Sequence, residues 1–182
     1  MITKQEARAQ VINARKQLSK EECHKLSERI FEKVVELKEF KASKCLLLYS
    51  EIRNEVSTRL FLDYALHNNI IVAYPRVEGD IMKFYRINSY EDLKQGYMGI
   101  LEPLKGLVEL EPLDGVIIVP GVAFDKKRAR CGYGKGFYDK YLWDHKALTK
   151  IGICFDFQLF DSINTETHDI LMDFIVTEST IF

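Results

Sequence analysis

Apolar and polar positions along this chain alternate with two periods. Between Ser19 and Leu37 the apolar residues Cys23, Leu26, Ile30, Val34 and Leu37 recur at the spacing of one helix face. Ser19 and Glu22 make a capping-box pair at its start, and Thr3 and Glu6 repeat that pair, so an earlier helix is expected to begin near Lys4. His24 falls on the polar side. Elsewhere the pattern changes to short continuous apolar runs: Cys45 to Tyr49, Ile70 to Tyr74, Gly115 to Val119, Ile151 to Phe155 and Phe174 to Thr177. Such runs suit strands buried on both faces of a parallel sheet. Pro75 and Arg76 are expected to end the second run. Ile81 to Ile87 alternates, as an antiparallel edge strand does. Helices are expected from about Ser57 to His67 and, after Gly136, to about His145, with a short helical turn at Tyr90 to Leu93. Strands alternating with helices predict an α/β fold of three layers, a mainly parallel sheet flanked by helices.

Composition narrows the class. A length of 182 residues favours a single domain spanning the chain. The net charge of −1 gives no reason to expect a nucleic-acid or membrane partner. Cys23, Cys45, Cys131 and Cys154 stand far apart without a C-x-x-C pair, which argues against a zinc site or a disulfide framework and fits a reducing cytosol. The first residues are charged and no apolar run reaches membrane-spanning length, so a cytoplasmic protein is expected.

One stretch carries the candidate chemistry. Pro120 to Leu142 reads P-G-V-A-F-D-K-K-R-A-R-C-G-Y-G-K-G-F-Y-D-K-Y-L. Gly132, Gly134 and Gly136 alternate with Tyr133 and Lys135, and Lys126, Lys127, Arg128 and Arg130 precede them. A glycine-rich turn feeding a helix start, with cations beside it, can hold phosphate through backbone N–H groups and the positive helix end. Two other readings exist. The stretch can be a solvated basic loop. The glycines, a helix and the later strand closed by Asp156 also imitate a dinucleotide-binding fold. That imitation has G-x-G-x-G rather than G-x-G-x-x-G, and the run stands well beyond the strand end expected at Val119. No G-x-x-x-x-G-K-[ST] is present.

The stretch resembles the signature of the 5-formyltetrahydrofolate cyclo-ligases, approximately P-G-x-A-F-D-x-x-G-x-R-L-G-x-G-x-G-[FY]-Y-D-x-x-L. It departs at Arg128, where the family usually has glycine, and at Cys131, where it has leucine. The resemblance covers nearly the whole chain and implies a sugar-isomerase and CoA-transferase-like (NagB/RpiA-like) topology. It implies that Lys4 and Arg8 reach ATP phosphates, although with Arg15 they also read as a solvated helix face. It implies an ATP loop of Arg130, Cys131, Gly132, Tyr133, Gly134, Lys135, Gly136, Phe137 and Tyr138, with Arg130, Lys135 and Tyr138 at the reacting centre. N-E-V-S-T resembles the family's folate segment, which makes Glu55 a folate ligand and Ser50 its weaker neighbour. The plainer alternative for Glu55 is an acid favoured at a helix start. G-Y-M-G-I-L-E-P, Gly96 to Pro103, is similar to a family segment lining the folate, which adds Tyr97, Gly99 and again Tyr133, although a plain turn-rich crossing is an equal reading. Asp139 of the F-Y-D triplet and Asp173 of the late H-D-I-L-M-D segment are implied as magnesium ligands, with His168 and Asp169 supporting them.

The activity so implied is ATP-dependent closure of 5-formyltetrahydrofolate to 5,10-methenyltetrahydrofolate, giving ADP and phosphate through a phosphorylated formyl group. The expected partners are a reduced folate, polyglutamylated or not, ATP and Mg2+. The expected assembly is a monomer or weak homodimer. A nicotinamide-dependent oxidoreductase and a non-catalytic folate or nucleotide binder are the alternatives.

Overall fold

The computed structural model describes residues 2–96, 99–166 and 169–182. Two capped helices open the chain, α1 (Lys4–Arg15) and α2 (Lys20–Val34). In each, the N-cap hydroxyl of Thr3 or Ser19 accepts from the backbone of Glu6 or Glu22, whose carboxylate accepts from the cap N–H in return. After a short α3 (Lys38–Ala42), β1 (Cys45–Leu47), α4 (Arg59–His67), β2 (Ile71–Glu78) and β3 (Ile81–Ile87) follow. A small hairpin of β4 (Leu93–Gln95) and β5 (Leu101–Pro103) precedes β6 (Val116–Val119). Then come β7 (Ala123–Asp125), β8 (Arg130–Cys131), α5 (Phe137–Asp144), β9 (Thr149–Ile153), β10 (Leu159–Phe160) and β11 (Phe174–Val176).

Six strands form the main sheet in the order β11-β9-β6-β1-β2-β3. All pairings are parallel except β2 with β3. This is the mixed α/β architecture that the apolar runs predict. Residues alternate between two cores. Leu46, Leu48, Ile118, Ile151 and Val176 pack beneath Ile30, Phe40 and Phe61 of the helices on one face. Leu47, Ile117, Val119 and Ile175 meet Phe124, Tyr141 and Leu142 on the other. Both faces are buried, which explains why the strands lack polar alternation. Among the described residues no helix is long and apolar enough to cross a membrane.

Three sequence expectations are corrected. β2 does not stop at Pro75 but runs to Glu78, with Pro75 opposite Phe84. β1 leaves β2 after Leu47 pairs with Ala73, so Pro75 lies where β2 has β3 as its sheet partner, an edge position in which a missing N–H is tolerated. β1 itself is shorter than its apolar run. The stretch between β6 and the glycines is not plain loop: β7 and β8 form an antiparallel hairpin, and β10 lies parallel to β7.

Arg128 lies in that hairpin's turn at φ 69, the left-handed region that favours glycine. Its N–H donates to Asp125 O at 2.9 Å, and the Asp125 carboxylate accepts from Lys127 N and Ala129 N. The turn thus keeps a glycine-like backbone with an arginine in it. Arg128→Gly is expected to raise stability by up to about 1 kcal/mol in thermal unfolding, because left-handed backbone penalises non-glycine residues by that order.

Candidate active site

β1 and β6 are neighbours at which the chain turns in opposite directions, to β2 on one side and to β9 on the other. In open α/β sheets the crevice beyond the carboxyl ends of such a pair is where ligands bind. Here β1 leads into the segment carrying Glu55, and β6 leads into Pro120, Gly121 and, past the β7–β8 hairpin, the glycine run. The two candidate segments are therefore brought together by strand order.

A buried cluster joins them. Glu55 is 3% exposed. Its Oε1 accepts from Tyr133 Oη at 3.0 Å and from Arg15 Nη1 at 3.3 Å, and its Oε2 accepts from Ile52 N at 3.0 Å. Arg15, also 3% exposed, donates further to Tyr133 Oη at 2.9 Å and to Gly121 O at 2.6 Å. Burial pushes the Glu55 pKa up, while the Arg15 guanidinium and the hydrogen bonds from Ile52 and Tyr133 pull it back. Burial also raises the Tyr133 phenol to about 12, with the Glu55 charge adding to the shift. Arg15 is the residue that sequence reading missed. A third cation on one side of α1 reads as solvated face, and only the packing shows it buried. Two consecutive residues before Glu55 hold left-handed backbone, Arg53 at φ 49 and Asn54 at φ 54. Asn54 Nδ2 donates to Arg15 O and Leu18 O, which fixes this turn against the end of α1.

The glycine run continues from that cluster. Arg8 Nε donates to Gly132 O at 2.8 Å. Gly136 is the N-cap of α5 at φ 70, so the first N–H groups of α5 have no capping side chain. Lys135 is exposed. Arg130 Nη2 donates to Asp139 Oδ2 at 2.7 Å, its Nη1 donates to Pro120 O at 3.3 Å, and its guanidinium stands 5.6 Å from the Tyr138 ring centre. Burial raises the Tyr138 phenol far above the usual tyrosine range, so it stays protonated. The Cys131 thiol is 1% exposed and its pKa is raised by burial, although Arg8, Lys4 and Arg130 act on it in the opposite sense. It is a packed thiol rather than a nucleophile.

Ser50 Oγ donates to Leu101 O, which ties the segment after β1 to β5, two residues beyond Gly99. Gly99 is at φ 77. Tyr97 and His168 lie outside the described residues.

The acids fall differently from the sequence expectation. Asp139 stands at the glycine run. Asp173 does not join it. Its Oδ2 accepts from Lys150 N and lies 2.7 Å from Lys150 Nζ, beside the amino ends of β9 and β11. The acid of that late segment that meets the cations is Asp169, whose two carboxylate oxygens accept from Lys4 Nζ at 2.8 and 2.7 Å. Among the described residues no three His, Cys, Asp or Glu side chains are placed to hold a metal by themselves. The dinucleotide reading fails too, because the glycines follow a hairpin rather than a parallel strand.

Comparison with known proteins agrees with this geometry. A model of the 5-formyltetrahydrofolate cyclo-ligase family matches residues 1–178. A Schizosaccharomyces pombe protein named probable 5-formyltetrahydrofolate cyclo-ligase is 34% identical over 170 residues, 84% of this chain and 83% of that one. The solved structure of Aquifex aeolicus 5,10-methenyltetrahydrofolate synthetase superposes with a TM-score of 0.85 at 37% identity, covering 98% of this chain and 91% of that one. The 5,10-methenyltetrahydrofolate synthetase from Mycoplasma pneumoniae gives a TM-score of 0.77 at 28% identity, covering 96% and 98%. With the signature residues gathered around one buried carboxylate and the match running nearly end to end, the chain belongs to the 5-formyltetrahydrofolate cyclo-ligase family of enzymes.

Proposed function

We propose that the protein closes 5-formyltetrahydrofolate to 5,10-methenyltetrahydrofolate with ATP as phosphoryl donor. The observation that carries this reading is the hydrogen bond between Tyr133 of the glycine run and buried Glu55. It puts a phosphate-type loop and a pterin-type carboxylate side by side.

The formyl oxygen of the substrate is a poor leaving group until it is phosphorylated. The oxygen attacks the γ-phosphorus and ADP departs, leaving an imidate phosphate. N10 then bonds to the same carbon, phosphate leaves with the former formyl oxygen, and the N10 proton passes to solvent or phosphate. No protein nucleophile is needed. The chain's part is placement and charge: the Gly132–Gly136 backbone, Lys4, Arg8 and Lys135 receive the phosphates, and Arg130 neutralises charge at the transferring group. Glu55 orients the pterin through its amino and ring N–H donors, with Tyr133 giving up its bond to that carboxylate as the folate enters. Ser50 and Gly99 flank the same end.

Magnesium fits the residues present. It takes one or two carboxylates and completes its shell with phosphate oxygens and water. Asp139 and Asp169 stand beside the glycine run and Lys4 respectively and would hold it. Bound there it supplies neutralisation of phosphate charge. Product formation, followed by methenyl absorbance, is expected to require ATP and magnesium together. Full-rate closure in the presence of EDTA would remove the metal from this account.

Glu55→Gln is expected to weaken folate binding by about tenfold and to leave ATP binding within about twofold, because an amide loses the charge assistance that roughly doubles hydrogen-bond strength. Separate titrations of the two ligands measure this. A loss confined to ATP would move Glu55 out of the folate site. The four cysteines are free thiols, in keeping with a cytosolic enzyme acting on a small-molecule folate. One domain acting as a monomer or weak homodimer completes the proposal.

A further inference from the structure

Glu55 is almost sealed from solvent at 3% exposure, with its carboxylate held by Arg15, the Ile52 backbone and Tyr133. A cavity of about 450 Å³ opens beside this cluster, with Arg15, Lys16, Arg53 and Tyr133 in its wall. Glu55 is not part of that wall. Two residues belong both to the wall and to the hydrogen bonds on the carboxylate. Arg15 is 3% exposed and Tyr133 is 39% exposed. A ligand in the cavity therefore reaches Glu55 only if one of them moves.

Tyr133 is the one placed to move. Arg15 is anchored a second time, to Gly121 O at 2.6 Å, and the turn carrying Glu55 is pinned by Asn54 to Arg15 O and Leu18 O. Tyr133 instead stands between Gly132 and Gly134, the latter at φ 96, and flanking glycines let a backbone turn at little steric cost. The acceptor count points the same way. A carboxylate offers about four acceptor sites, two on each oxygen. Tyr133 and Arg15 fill both on Oε1, while Ile52 N fills one on Oε2. A ligand with two adjacent donors needs one free site on each oxygen, and departure of the Tyr133 hydroxyl supplies that arrangement. A ligand with a single donor would only exchange one hydrogen bond for another.

We propose that Tyr133 is a gate over Glu55: its hydroxyl occupies the carboxylate until a ligand with two adjacent N–H donors displaces it, while Arg15 holds the carboxylate in position throughout. The gate selects for paired donors and leaves the unliganded site self-blocked. The Tyr133 hydroxyl accordingly opposes folate binding instead of contributing to it. This rests on the reading that Glu55 receives the pterin.

Tyr133→Phe keeps the ring and removes the hydroxyl. Calorimetric titration with 5-formyltetrahydrofolate, without nucleotide, is expected to give a Kd about three- to tenfold lower than the parent's, the range set by one competing hydrogen bond. The melting temperature of the unliganded variant is expected to fall by about 2–4 °C, because the same bond is lost there. Opposite signs in the two measurements mark the gate. A merely structural tyrosine lowers the melting temperature and leaves the Kd unchanged, and a tyrosine that binds folate directly raises the Kd; either result overturns the inference. In a Glu55→Gln background the benefit of Tyr133→Phe should shrink to less than about twofold, because a hydroxyl holds a neutral amide about half as strongly as a carboxylate. An undiminished benefit there would place the competition away from Glu55 and overturn the gate as well. A parent protein that binds no 5-formyltetrahydrofolate overturns it together with the folate assignment, so the two failures are told apart.

Discussion

Gly134→Ala is expected to lower turnover on the order of a hundredfold while lowering the melting temperature by only a few degrees. Gly134 holds φ 96, and a Cβ built there meets the Arg8 guanidinium, Nη2 at 3.7 Å and Cζ at 4.0 Å, which are ordinary contacts. The protein therefore has room for the methyl group and the strain lies in the backbone. Left-handed strain of about 1–3 kcal/mol converts to a few degrees per kcal/mol for a protein of this size. The loop can relieve part of it by moving, and turnover registers that movement, because a displacement of about 1 Å in a positioning element can cost on the order of a hundredfold in rate. Initial rates and thermal melts on one purified variant make the measurement. Near-normal turnover and ATP affinity would mean that the phosphates lie elsewhere.

Arg15→Met is expected to give the largest loss of stability. It strips the buried Glu55 carboxylate of its guanidinium and leaves Gly121 O without that donor. Removing one partner of a buried ion pair costs about 3–5 kcal/mol, against at most about 1 kcal/mol for an exposed pair such as Lys25–Glu21. The loss should depend on pH with a definite sign. Burial makes the folded protein hold the Glu55 proton more tightly than the unfolded chain does. Stability then falls as pH rises from the unfolded carboxyl range through the folded value, and no penalty remains below both. Without Arg15 the folded value moves higher still. The deficit of Arg15→Met relative to the parent should therefore shrink toward acid and reach its plateau at higher pH. Denaturant unfolding at several pH values tests this, and adding Glu55→Gln should recover part of the loss. A deficit flat with pH would show that the lost hydrogen bonds, not the carboxylate charge, set the effect.

Local chemistry was readable in the sequence wherever it is decided by neighbours in the chain. The capping boxes at Thr3 and Ser19 and the antiparallel edge strand at Ile81–Ile87 all follow from short-range pattern. The β7–β8 hairpin was not readable, because its strands are two and three residues long and its turn is a run of cations with Arg128 in the place of glycine. Arg15 was hidden for a different reason. Its spacing on α1 matches that of solvent-facing cations, and only the packing of α1 against the segments after β1 and β6 buries it. Asp169 and Asp173 are one helical turn apart in numbering, and residue type alone does not separate them. What separates them is that Lys150, the second residue of β9, lies beside Asp173 while Lys4 comes to Asp169 from the start of α1.

The parallel pairing of β1 with β6 has a kinetic consequence. Leu46 faces Val116 across that pair, with β2, β3, β4 and β5 all intervening in the chain. Closing so long a loop precedes any reward from the contacts it makes, which places this pairing among the slow events of folding. Glu55 and the glycine run meet only after it forms, so a partly folded chain holds neither half of the crevice in working order. Recovery of ligand binding after dilution from denaturant should accordingly trail the return of helical signal from α1 and α2 and coincide with completion of the sheet.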